Sequence, residues 1–140
     1  MLVGSLWAWT SYKSAQIEAY YRELPLLNRM HGREKHSSNN SEGARQALLD
    51  TVPLGSGRED AFAALHEQGR FSCKPRVVSE VERQLAGFSI QPQDHTAAQD
   101  FVECMSGAPS ILAHTVWIVR LEFADGRLSD ARVAVWHIFL

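Results

Sequence analysis

The segment from Thr115 to Leu140 constrains the fold more than any other part of the chain. Trp117, Val119, Leu121 and Phe123 alternate with their neighbours, and a period of two places them on one face of a strand. Asp125-Gly126 follows, a dipeptide suited to the primed turns that match strand twist, and the chain then returns from Leu128 to Leu140. A strict two-residue turn pairs Phe123 with Leu128 and Ile118 with Val133. That register also sets Asp130 and Arg132 opposite Leu121 and Val119, on the apolar face. A bulge near Leu128 to Ala131 flips the return strand and removes the conflict, so that Val133 and Val135 face the core. The end, Trp136-His137-Ile138-Phe139-Leu140, is too apolar for a free tail.

Upstream, Ser56-Gly57-Arg58-Glu59 matches the capping box, and Asp60 adds negative charge to the first turn. Ala61, Phe62, Ala64 and Leu65 form the apolar face of that helix, Gly69 suits its C-terminal cap, and Phe71-Ser72-Cys73 enters a strand. Ala44 to Asp50 predicts a shorter helix leading into Pro53. Pro75 to Leu85 reads as a helix carrying Val77, Val78, Val81 and Leu85, or alternatively as a strand at Arg76-Val77-Val78. Gly87 to Ala98 reads as loop, Phe101 to Met105 as strand, and Ser106 to Ser110 as turn. The expected fold is α+β: two short helices packed on a three- or four-stranded antiparallel sheet over residues 44–140, after an N-terminal helical arm and linker over 1–43.

The arm begins unusually. Met1 to Tyr12 carries no charge and includes Trp7 and Trp9, but a bilayer span takes about 20 apolar residues. It lacks the basic start of a secretory signal. Three readings stand: the end of a membrane anchor that starts further upstream, an interfacial helix, or a helix docked on the domain. Ser14 to Leu24 follows in helical rhythm, with Ile17, Tyr20, Tyr21 and Leu24 on one face, and Pro25 ends the run. That face either packs on its own domain or receives a partner. Tyr20 and Tyr21, with Trp117 and Trp136 of the hairpin, are the candidate partner-binding residues. The polar stretch His31 to Gly43 reads as a flexible linker.

The formal net charge is −2 and the basic residues are scattered, which argues against a nucleic-acid partner. Two cysteines, Cys73 and Cys104, fit no zinc spacing; they form either one bridge, in an oxidising compartment, or two buried thiols. His31 and His36, five apart in the linker, do not share a helix face as a metal pair does. His114 and His137 fall opposite each other only in the strict hairpin register. No nucleophile elbow, phosphate loop or HExxH motif occurs, so no catalytic residue, metal or cofactor is expected. The alternative is a small cytoplasmic ligand-binding or enzymatic domain that gathers His114, His137 and Cys104 in one pocket. A homodimer paired through the C-terminal strand is a third reading.

The run Val52-Pro53-Leu54-Gly55-Ser56-Gly57-Arg58-Glu59-Asp60-Ala61-Phe62-Ala63-Ala64-Leu65 resembles the opening of SmpA/OmlA-type outer-membrane assembly lipoproteins and of β-lactamase-inhibitor-like domains. In those domains a Gly-Ser/Thr-x-x-Glu/Asp-x-x-x-x-Leu run starts a helix. Leu121 to Leu128 is similar to their later strand and Asp-Gly turn. The resemblance implies a non-enzymatic protein-binding domain on the periplasmic side of a membrane in the cell envelope. This chain departs from the pattern in having no lipid-attachment cysteine near its start and an added segment from Gly87 to Gln99, and no site residue is carried over.

Overall fold

A computed structural model describes residues 2–76, 101–111 and 113–139. Four helices precede the main part of the sheet: α1 (Leu2–Arg22), α2 (Pro25–Arg33), α3 (Glu42–Thr51) and α4 (Arg58–Gly69). The strands are β1 (Ser72–Arg76), β2 (Phe101–Ser110), β3 (Ala113–Ala124) and β4 (Arg127–Phe139). They form one antiparallel sheet in the order β1-β2-β3-β4. The fold is α+β with an N-terminal helix, as expected. Pro75 and Arg76, the start of the helix expected to Leu85, belong to strand β1; the rest of that expected helix and the loop expected over Gly87 to Ala98 lie outside the described residues.

The hairpin carries the predicted bulge. Glu122 pairs with Asp130 but Phe123 pairs with Leu128, leaving Ser129 as the extra residue. Its hydroxyl donates to the Glu122 carbonyl oxygen at 3.0 Å. Asp125 and Gly126 both take positive φ, 53° and 76°, the combination a primed turn requires. Beyond the bulge, Val133 pairs with Val119 and Val135 with Trp117. All four are buried in one core with Leu121, Ala131, Leu26, Leu27, Leu48 and Leu65. Asp130 and Arg132 move to the opposite face, opposite Glu122 and Arg120. One inserted residue thereby keeps two charged side chains off the helix-packed face.

Three local expectations give way to longer-range contacts. The capping box does not form: Gly57 is the N-cap of α4 without a side-chain cap, and the Ser56 hydroxyl donates to the Pro53 carbonyl oxygen at 2.6 Å. The backbone around Ser56 is instead paired with the hairpin, where the Leu128 amide donates to the Ser56 carbonyl and the Gly55 amide to the Leu128 carbonyl. The turn expected at Ser106 to Ser110 is strand, paired from Ser106↔Trp117 to Ser110↔Ala113. Its Ser106 hydroxyl donates to the Gly69 carbonyl oxygen at 2.6 Å, and the reversal falls after Ser110. The polar stretch read as linker is tied to β4. Ser38 and Val135 exchange amide hydrogen bonds, and the Ser41 amide donates to the Val133 carbonyl. Ser41 also caps α3 by accepting from the Ala44 amide.

A helix absent from the sequence reading, α2, starts with Pro25 in its first turn and buries Leu26, Leu27 and Met30. Gly69 ends α4, with Arg70 as a left-handed cap. A Cβ at Gly69 would stand 2.6 Å from the Phe71 ring, so close approach requires glycine there.

Candidate binding surfaces and the buried aromatic cluster

Tyr20, Tyr21, Trp117 and Trp136 do not form one surface. Tyr21 is 1% exposed and Trp117 fully buried, which corrects their assignment to partner contact: both are core. Tyr20 is half-buried; its hydroxyl donates to the Gly107 carbonyl oxygen at 2.8 Å, and the Arg70 guanidinium lies 5.4 Å from its ring centroid. Trp136 is half-buried on the opposite sheet face, packed against Ile118 and Ala134. That face also buries Arg120, 2% exposed, with its guanidinium carbon 3.8 Å from the Phe101 ring centroid. Desolvation lowers the Arg120 pKa, and nearby Glu122 opposes the shift.

The buried aromatic residues lie between the α1–α2 junction and the sheet. The Trp117 indole N–H donates to the Tyr21 hydroxyl oxygen at 3.1 Å. Burial raises the Tyr21 phenol above its ordinary pKa of 10.0, so it stays neutral. His31 stacks on Tyr21 with centroids 4.0 Å apart and planes 3° from parallel, and meets Trp117 edge-on. His31 is thus a packed residue of α2, not the solvated loop residue expected; His36 is exposed. The available signal was the spacing of His31 from Leu27, i+4 on one helical face.

Desolvation, reinforced by Lys35 and His137, lowers the His31 pKa from 6.5 to about 4. Between those values the unfolded chain takes up the proton and the folded chain resists it. The contribution is complete above the unfolded value and is lost as the pH falls toward about 4. Partial exposure limits the loss to about 2 kcal/mol. Urea unfolding at mildly acidic and neutral pH should show this loss, and His31→Phe, which keeps the stack, should diminish it. An equal acid sensitivity in the variant would assign the effect to other groups.

His114 and His137 are not opposite each other. The bulged register pairs His114 with Ile138 and Thr115 with His137, placing the two imidazoles on opposite faces. His137 Nε2 lies 3.1 Å from the Lys35 carbonyl oxygen, which only accepts, so this nitrogen carries the proton. Nδ1 then accepts from the Thr115 hydroxyl at 2.9 Å. Cys104 pairs with Val119, four residues along β3 from Thr115, or about 13 Å at the usual strand rise. The structure does not bring the three into one pocket.

Cys73 and Cys104 are cross-strand neighbours joined by a disulfide, with Cα atoms 3.9 Å apart. Among the described residues, no group of three or more His, Cys, Asp or Glu is placed to hold a metal ion. An open groove of about 750 Å³ runs between the α1–α2 junction and the end of α4, lined by Glu23, Leu24, His66, Glu67, Arg70, Phe71 and Ser72.

The two sheet edges differ. The outer edge of β4 is occupied by the backbone near Ser38 and near Gly57, and the His137 amide donates to Ser37 Oγ. Among the described residues nothing pairs with the outer edge of β1, whose Pro75 lacks an amide hydrogen.

The N-terminal half of α1 is the other exposed feature. Residues 4–9, 11 and 12 are exposed, with Leu6 at 62%, Trp7 at 72% and Tyr12 at 61%. This overturns the docked-helix reading for that half; Tyr21, at the other end of α1, is the part that packs into the core. Among the described residues no helix is long and apolar enough to cross a membrane. No known protein family, curated protein sequence or solved structure matches the chain.

Proposed function

We propose that the chain is a non-enzymatic protein-binding module of the cell envelope, an assembly accessory or inhibitor-like domain held at the periplasmic side of a membrane through residues 1–12. The observation that carries this reading is the Cys73–Cys104 disulfide. Such bonds persist in oxidising compartments and are rare where thiol reductants prevail. The resemblance to envelope assembly and inhibitor-like domains points the same way.

The outer edge of β1, which has no partner among the described residues, is the binding surface in this reading, because an extended partner segment can add to a sheet edge through main-chain hydrogen bonds. The covered β4 edge leaves no comparable place along 127–135. Photocrosslinking in native cells tests it. A photoreactive residue at Ser72 or Lys74, both exposed on β1, should yield a discrete adduct with an envelope protein. The same residue at Arg127, on the covered edge, should not. Absence of any adduct from β1, or equal capture from both edges, would contradict the proposal.

A further inference from the structure

We infer that the uncharged half of α1 and the β2–β3 turn form one lipid-docking end, seated in a single leaflet of a bilayer. This specifies how the envelope module proposed above meets its membrane, and it rests on that reading for its biological setting.

The placement follows from the packing of α1. Leu24 lines the same groove as Phe71 and Ser72, and Ser72 pairs with Met105. Tyr20 reaches Gly107, two residues nearer the β2–β3 turn. Read toward its N-terminus, α1 therefore runs along β2 toward that turn. From Gly107 to Ser110 is about 10 Å of strand, which about seven helical residues match, bringing Lys13 level with the end of the sheet. The remaining stretch, 2–12, extends about 16 Å further, close to the half-thickness of a hydrocarbon core. The charge-free stretch therefore begins where the sheet stops. Ile111, in the turn, and Ile138, paired with His114 beside it, are exposed at this same end.

The occupant is lipid because the exposed apolar surface goes round the helix. A helix made for a protein groove presents an apolar stripe and keeps a polar back. Here exposure is continuous over residues 4–9, with no charge on any side. Two polar side chains of this stretch are hydrogen-bonded within the helix, as immersion requires: the Thr10 hydroxyl donates back to the Leu6 and Trp7 carbonyl oxygens at 3.0 and 2.9 Å. The Tyr12 hydroxyl accepts from Gln16 at 2.9 Å. Trp7, Trp9 and Tyr12 are residue types that settle at membrane interfaces. With no charged side chain in residues 2–12, attraction by that stretch rests on apolar insertion and not on anionic headgroups.

The test uses the full chain and phosphatidylcholine vesicles, with brominated lipid as a quencher of tryptophan. The chain should float with the vesicles at low and high salt alike, and the quenching should disappear in a Trp7→Phe/Trp9→Phe variant. Leu6→Lys with Trp7→Lys should weaken partitioning more than about tenfold while circular dichroism stays unchanged. Ile111→Lys with Ile138→Lys should weaken it less. Failure to float, release by salt, quenching that survives loss of Trp7 and Trp9, or self-association in place of vesicle binding would each overturn the inference. Adducts from β1 and oxidised cysteines in cells would then still uphold the envelope reading, so the two can fail separately.

Discussion

Removing the Cys73–Cys104 bridge, by reduction or by Cys73→Ala with Cys104→Ala, should cost about 3.5 kcal/mol of stability and lower the thermal midpoint by roughly 10–15 °C. The bridge closes a loop with a sequence separation of 31, and the unbridged unfolded chain regains that freedom. Among the described residues β1 has only β2 as a strand neighbour, so its attachment weakens most. Thermal unfolding followed by circular dichroism, with and without reductant, measures the loss. An unchanged midpoint would show that the bridge adds little to the folded domain.

Trp117→Ala should cost about 4 kcal/mol, because it removes a fully buried side chain that joins the helices to the centre of the sheet. It also strips the Tyr21 hydroxyl of its indole donor. Trp117→Phe separates these effects: the ring still fills much of the space, while loss of the donor and of some volume costs about 1–2 kcal/mol. Urea midpoints for the two variants provide the comparison. Equal losses would mean that packing volume is not what holds this cluster together.

The hairpin and its bulge were legible because a strand alternates with a period of two, and charged residues at Asp130 and Arg132 expose a wrong register at once. The helices at 42–51 and 58–69 were legible from their apolar faces and flanking prolines and glycines. Ser56 misled because its capping pattern is local, whereas its backbone is claimed by Leu128, far along the chain. His31 to Gly43 misled because polar composition does not reveal main-chain pairing with β4. Aromatic residues mark core and surface alike, so Tyr21 and Trp117 could not be told from contact residues until packing was known. The outward half of α1 stood out for its missing charge, but whether it docked or projected depended on where β2 ended.

The measurement that tests the central claim most directly is thiol trapping in the native cells, with labelling compared before and after reduction. An envelope domain outside the cytoplasm should label at Cys73 and Cys104 only after reduction. Labelling of both thiols before reduction would contradict that location and the protein-binding role proposed for it.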